Sequence, residues 1–218
     1  MEKPEIAYRN ITIEGNIGVG KTTAAKILGE QLDGRLLLES FDNNPFLELF
    51  YTDSERYSFQ VELFFLAERY NQLSKNLLGD IFQEFTVSDY LFVKCSIFSG
   101  INLAGPENEL FMNLFRIMDR FMPRPDILIY LHIPAEKALE NIKKRGRSYE
   151  QDIPLAYLKR LEEGYFNYLK EENRFPIVVL DESDNEARDL TGTMKNISSV
   201  LGSEWKNGIS YFREVVED

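Results

Sequence analysis

The stretch Gly15-Asn16-Ile17-Gly18-Val19-Gly20-Lys21-Thr22-Thr23 fits the pattern G-x-x-x-x-G-K-[ST], and it follows an alternating apolar run ending in Ile11-Thr12-Ile13. A strand that enters such a loop and leaves it as a helix is the context in which the pattern binds phosphate. Glycines let the backbone curl so that successive N–H groups converge on anionic oxygens, and the helix beginning near Lys21 adds its positive end to the same spot. Lys21 is expected to reach the β- and γ-phosphates of a nucleotide, and the Thr22 hydroxyl to ligate Mg²⁺.

The strand that feeds this loop has companions. Short apolar segments at Tyr8 to Ile13, Arg35 to Leu38, Phe85 to Ser88, Ile127 to Ile133 and Ile177 to Leu180 read as five strands, with helical patterns between them. Strands that alternate with helices, several of them almost uniformly apolar, imply an α/β fold: a parallel sheet covered on both faces in three αβα layers. Tyr57 to Leu78 reads as one long helix and Tyr90 to Met122 as a further helical region. Another helix runs from Pro134 into Lys143-Lys144-Arg145-Gly146-Arg147, where Gly146 interrupts it.

At 218 residues and 44% hydrophobic, the chain can bury one substantial core, and residues 1–218 read as a single domain whose stretch from about 182 to 218 is peripheral helix. No apolar run approaches the roughly 20 residues of a membrane span, and Met1-Glu2-Lys3-Pro4 leads into no signal-peptide core. The sequence therefore predicts a soluble, cytoplasmic protein with no membrane partner. Cys95 is the sole cysteine, which rules out an intrachain disulfide and a four-cysteine zinc site. A net charge of −11 argues against a general nucleic-acid binder.

Ligands of such sheets sit at the carboxyl ends of the strands, and polar residues collect there. Asp89 closes the third strand; its carboxylate can take a proton from an attacking hydroxyl or bind Mg²⁺, and Glu39, after the second strand, can do either. Either acid could instead be a helix cap. The sole histidine, His132, lies within the fourth strand and reads as a packed residue. The basic cluster, broken by Gly146 and followed by Glu150, reads as a lid over about 143–151 that closes Arg145 and Arg147 on a phosphoryl group in transfer. Glu62 and Arg69 lie two turns apart on one aromatic helix face, which suits either an ion pair or recognition of a base edge.

Together these residues resemble the deoxyribonucleoside kinases, the group that includes deoxycytidine, deoxyguanosine and deoxyadenosine kinases, and most resemble purine-type, bacterial-like members. The likeness runs from about Ile11 to Leu180 and rests on the phosphate loop, on Arg56-Tyr57-Ser58-Phe59 leading to Arg69, and on Lys144-Arg145-Gly146-Arg147-Ser148-Tyr149-Glu150-Gln151. It implies a five-stranded parallel sheet with the loop strand in its middle, transfer of the γ-phosphate of ATP to a deoxynucleoside 5′-hydroxyl, and a homodimer. By position it implies Glu39 or Asp89 beside that hydroxyl, Tyr51 and Glu150 on the sugar 3′-hydroxyl, Arg145 and Arg147 in the lid, and Glu62 with Arg69 at the base edge.

The chain departs from the family pattern twice. Where relatives carry an acidic residue followed by Arg and Ser, it has Asp89-Tyr90-Leu91, with Lys94 one helical turn further on to replace the arginine. Glu62 stands where better-known relatives carry glutamine. A carboxylate accepts from two donors at once, as guanine N1–H and its exocyclic amine offer, so Glu62 predicts a purine substrate, guanine ahead of adenine. Two rival readings are a nucleoside monophosphate kinase of the same fold and a non-catalytic nucleotide-binding module.

Overall fold

The computed structural model describes residues 6–40, 43–76, 83–183 and 190–212. Strands β1 (Asn10–Gly15), β2 (Arg35–Leu37), β3 (Thr86–Ser88), β4 (Ile127–His132), β5 (Pro176–Asp181) and β6 (Gly208–Phe212) form one sheet in the order β2-β3-β1-β4-β5-β6. Every pairing is parallel. The chain winds outward from β1 in both directions, and the carboxyl end of such a strand is where an α/β sheet opens a crevice.

Both faces are covered because side chains alternate along the strands. Ile127, Ile129 and Leu131 of β4 pack with Val178 and Leu180 of β5 against α1 (Lys21–Leu32) and α8 (Leu190–Leu201). Leu128, Tyr130, Ile177 and Val179 face the opposite layer, built from α3 (Ser54–Asn76), α4 (Lys94–Asn102), α5 (Gly105–Asp119) and α7 (Leu155–Glu171). A smaller apolar cluster joins α6 (Ala135–Arg145), α7 and α2 (Leu47–Thr52) above the sheet.

Three sequence expectations need correction. The sheet has six strands: Gly208–Phe212 pairs with β5, so the stretch expected as peripheral helix contributes α8 and an edge strand. Leu180↔Phe212 and Val179↔Tyr211 are in register there, and only partial burial gives this segment its mixed polarity. The helical region expected over 90–122 is split, because Gly105 adopts φ 52° and Pro106, lacking an N–H, opens a new helix at α5. The long helix is α3, and the last two residues expected for it, 77 and 78, lie outside the described residues.

Candidate active site

The loop between β1 and α1 lies against its neighbours so closely that side chains are barred. A Cβ on Gly15 would sit 2.4 Å from the Leu131 carbonyl oxygen, and one on Gly18, at φ 83°, 2.5 Å from that of Ala138. No side chain caps α1, so none competes for its first amides. Asn141 Nδ2 donates to Gly18 O at 3.0 Å and Asn16 Nδ2 to Leu158 O at 2.8 Å, which ties the loop to α6 and α7. The Asn16 side chain is thus spent on the scaffold, and only its backbone is left for a ligand. Lys21 Nζ donates to Gly15 O at 2.9 Å and to Asn16 O at 2.8 Å. Burial, with repulsion from Lys94 next, lowers the Lys21 pKa to about 8.

The two acids at the strand ends have different partners. Asp89 Oδ2 accepts from the Thr22 hydroxyl at 2.5 Å and Oδ1 from Glu39 N at 2.7 Å, which couples the helix after the loop to the ends of β2 and β3. Glu39 Oε1 accepts from Arg69 Nε at 3.0 Å and from Arg69 Nη2, while Oε2 accepts from Lys94 Nζ at 2.6 Å. Burial alone would raise its pKa, but Lys94 and Arg69 together hold the carboxyl far below the usual carboxylate range. Lys94, the residue that the sequence offered as a replacement for the family's arginine, thus makes its contact with Glu39.

These groups line a cavity of about 120 Å³ that also takes in Tyr51, Phe65, Phe98 and Glu62. Arg69 does not meet Glu62. Its fork goes to Glu39 and, through Nη1, to Cys95 Sγ at 3.0 Å, with the guanidinium 4.8 Å above the Phe65 ring. Glu62 Oε1 instead accepts from Asn102 Nδ2 at 2.7 Å, and Asn102 also donates to the Tyr157 hydroxyl. The sequence placed both residues on one helix face and the cavity receives both, but the ion pair considered for them is not formed.

Arg145, Arg147 and Glu150 line the same cavity. Gly146, at φ 76°, ends α6 in the left-handed conformation, and a 3₁₀ turn follows at Ser148–Glu150. Glu150 is buried and binds both Arg145 and Arg147. Tyr51 stacks on Tyr149 with ring centroids 5.7 Å apart, which joins α2 to the 3₁₀ turn. Across the phosphate loop lies a second cavity of about 310 Å³, lined by Val19, Thr23, Lys137, Asn141, Lys144 and Thr193 among others. His132 lies outside both lining sets; its ring sits between Glu162 and Asp181 at 2.6 and 3.1 Å.

A family model described as deoxynucleoside kinase matches residues 11–202. The chain belongs to the deoxynucleoside kinase family. Among curated relatives, the deoxyadenosine/deoxycytidine kinase of Bacillus subtilis (strain 168) is 32% identical over 200 residues, covering 88% of this chain and 91% of that protein. The deoxyguanosine kinase of the same strain is 33% identical over 210 residues, covering 94% and 97%. Among solved structures, the deoxyadenosine kinase of M. mycoides with bound dATP superposes with a TM-score of 0.77 at 26% identity, covering 88% of this chain and 99% of that one. The arrangement above is thus a deoxynucleoside kinase scaffold, with six strands here and the phosphate loop between two cavities. Among the described residues no helix is long and apolar enough to cross a membrane.

Two site features escaped the sequence reading. Glu14, 1% exposed, accepts from Gly15 N at 3.0 Å, Tyr165 OH at 3.1 Å and Leu91 N at 2.9 Å, so it braces the start of the loop against the turn after β3. Its signal was present as the one charge in an otherwise apolar strand end. Asn102 gave no local signal, since its role depends on α4 lying beside α3.

Proposed function

We propose that this kinase transfers the γ-phosphate of ATP to the 5′-hydroxyl of a deoxynucleoside, with ATP reaching the phosphate loop from the larger cavity and the deoxynucleoside occupying the smaller one. The observation that carries the assignment is the placement of Glu39, Asp89 and the lid arginines around one cavity that opens on Lys21 and Thr22. The Thr22 hydroxyl and the Asp89 carboxylate are hard oxygen donors 2.5 Å apart and fit Mg²⁺, which takes few protein ligands beside phosphate oxygens. When bound, the ion would neutralise charge on the transferring phosphoryl group. With Asp89 on Thr22, Glu39 is the better candidate to orient the 5′-hydroxyl and accept its proton. Arg69 and Lys94 keep it ionised for that task.

Lys21 and the lid arginines stabilise negative charge as it spreads over the phosphoryl oxygens. Release of Arg145 and Arg147 from Glu150 would free the arginines for phosphate and Glu150, with Tyr51, for the sugar 3′-hydroxyl. Glu62 and the aromatic walls of Phe65 and Phe98 form the base end. Leu110, Ile117 and Phe121 stand exposed along and just beyond α5, an apolar row that favours a homodimer. The role of the pathway is salvage of preformed deoxynucleosides, in the cytoplasm.

The test is ATP-dependent phosphorylation of the four natural deoxynucleosides, with the monophosphates as controls. Lys21→Ala should abolish turnover in a folded protein. Glu39→Gln should lower kcat by about 10² or more while ATP still binds, in the range of a lost general base. Asp89→Asn should weaken the magnesium dependence instead. Turnover of monophosphates alone would move the protein to the rival kinase class, and an active, folded Lys21→Ala would overturn the mechanism.

A further inference from the structure

Four carboxylates line the smaller cavity, and they are held differently. Glu39 and Glu150 each meet two cations, and Asp89 sits on a hydroxyl and a backbone amide. Glu62, 3% exposed, has only a neutral partner: Asn102 donates to Oε1, and among the described residues no side chain or amide donates to Oε2. The groups around it come from several elements. Arg69 on its own helix is committed to Glu39 and Cys95; Lys94 on α4 is committed to Glu39; Cys95 is a buried thiol; Tyr157 on α7 accepts from Asn102; Tyr51 comes from α2; and α5 contributes nothing to the lining. Burial pushes the Glu62 carboxyl up to about 7, against the weaker opposing pull of Asn102, Arg69 and Lys94.

A carboxyl in such a place has two hydrogen-bonding patterns. As a carboxylate it only accepts; as an acid one oxygen accepts while the other donates. Guanine offers two adjacent donors, N1–H and its exocyclic amine, which match the carboxylate. Adenine and cytosine each offer an amine donor beside a ring nitrogen that accepts, which match the acid. We propose that Glu62 sets the base preference of this kinase through its own protonation, the acid form selecting deoxyadenosine and deoxycytidine and the carboxylate selecting deoxyguanosine. The inference rests on the assignment of this cavity to the deoxynucleoside.

The experiment is the pH dependence of kcat/KM for deoxyadenosine, deoxycytidine and deoxyguanosine between about pH 6 and about pH 8, since that parameter reports ionisations of the free enzyme. None of the three bases changes protonation in that range. For a group titrating at about 7, the acid form falls about 10-fold over it and the carboxylate rises about 10-fold, so the deoxyadenosine to deoxyguanosine ratio should fall about 100-fold. Lys21, Asp89 and the lid act on the phosphoryl end common to all three substrates and cancel in the ratio. In Glu62→Gln the amide accepts through oxygen and donates through nitrogen, so the ratio should become flat and stay on the adenine and cytosine side. A wild-type ratio constant within about 2-fold, or a slope that survives in Glu62→Gln, would overturn the proposal. Turnover of no deoxynucleoside at any pH would remove the cavity assignment itself, and this inference with it.

Discussion

Lys94→Met removes one of the two cations that hold Glu39. The Lys94 and Arg69 side chains are 5% exposed and that of Glu39 is 15%, so solvent screens the triad little. Breaking a buried pair by deleting one partner costs about 3–5 kcal/mol, and because Arg69 stays on Oε1 the low end, about 3 kcal/mol, applies. For a domain of this size each kcal/mol moves the melting temperature by roughly 2–4 °C, so a fall of about 6–12 °C is expected at neutral pH. Linkage supplies a second signature. The folded-state pKa of Glu39 lies far below its unfolded value, so its contribution is fully present above the ordinary carboxylate range, starts to fall below it, and is lost only as pH drops through the folded-state pKa. The gap between wild-type and Lys94→Met should therefore narrow progressively as pH is lowered from about 4 towards the folded-state pKa. Urea unfolding followed by circular dichroism across pH measures both. A loss below about 1 kcal/mol at pH 7, or a gap that does not change with pH, would refute the reading of Glu39 as a charge held by Lys94.

The phosphate loop yields two further expectations. Lys21 titrates at about 8 because it is buried beside Lys94, and a polyphosphate would restore its charge; ATP binding should then take up about half a proton at pH 8 and almost none at pH 6, read from calorimetry in buffers of different ionisation enthalpy. Gly18→Ala would set a methyl group 2.5 Å from the Ala138 carbonyl oxygen and 2.9 Å from Ile142 Cγ1 at φ 83°; a loss of about 2–3 kcal/mol and at least about 10-fold weaker ATP binding should appear in thermal unfolding and titration.

What could be read in advance depended on how local each signal was. The phosphate loop is a contiguous pattern whose glycines and lysine each have one physical task, so its position between β1 and α1 was legible to the residue. Asp89 and Glu39 were legible because each follows a short apolar strand. Their different partners were not, since these turn on Lys94 and Arg69 converging from α4 and α3 on one carboxylate. The Glu62–Arg69 spacing fixed a shared helix face and could not reveal that Arg69 turns towards Glu39 and Cys95. The sixth strand was missed because an edge strand that is only partly buried needs no apolar alternation, and Ser210 and Tyr211 disguised it.

The phosphate loop separates two cavities that have no lining residue in common: Val19, Gly20 and Thr23 face one, and Ile17, Gly18, Lys21 and Thr22 the other. On the proposed assignment, the choice of phosphate donor is written in α6 and α8 and the choice of base in α3 and α4. Substitutions that share no partner tend to add in free energy, so coupling between the two choices is concentrated in contacts across the loop such as Asn141 with Gly18. Such a chain can therefore drift in one specificity while the other is held constant, which makes a lineage of these enzymes free to diversify its nucleosides without renegotiating its energy source.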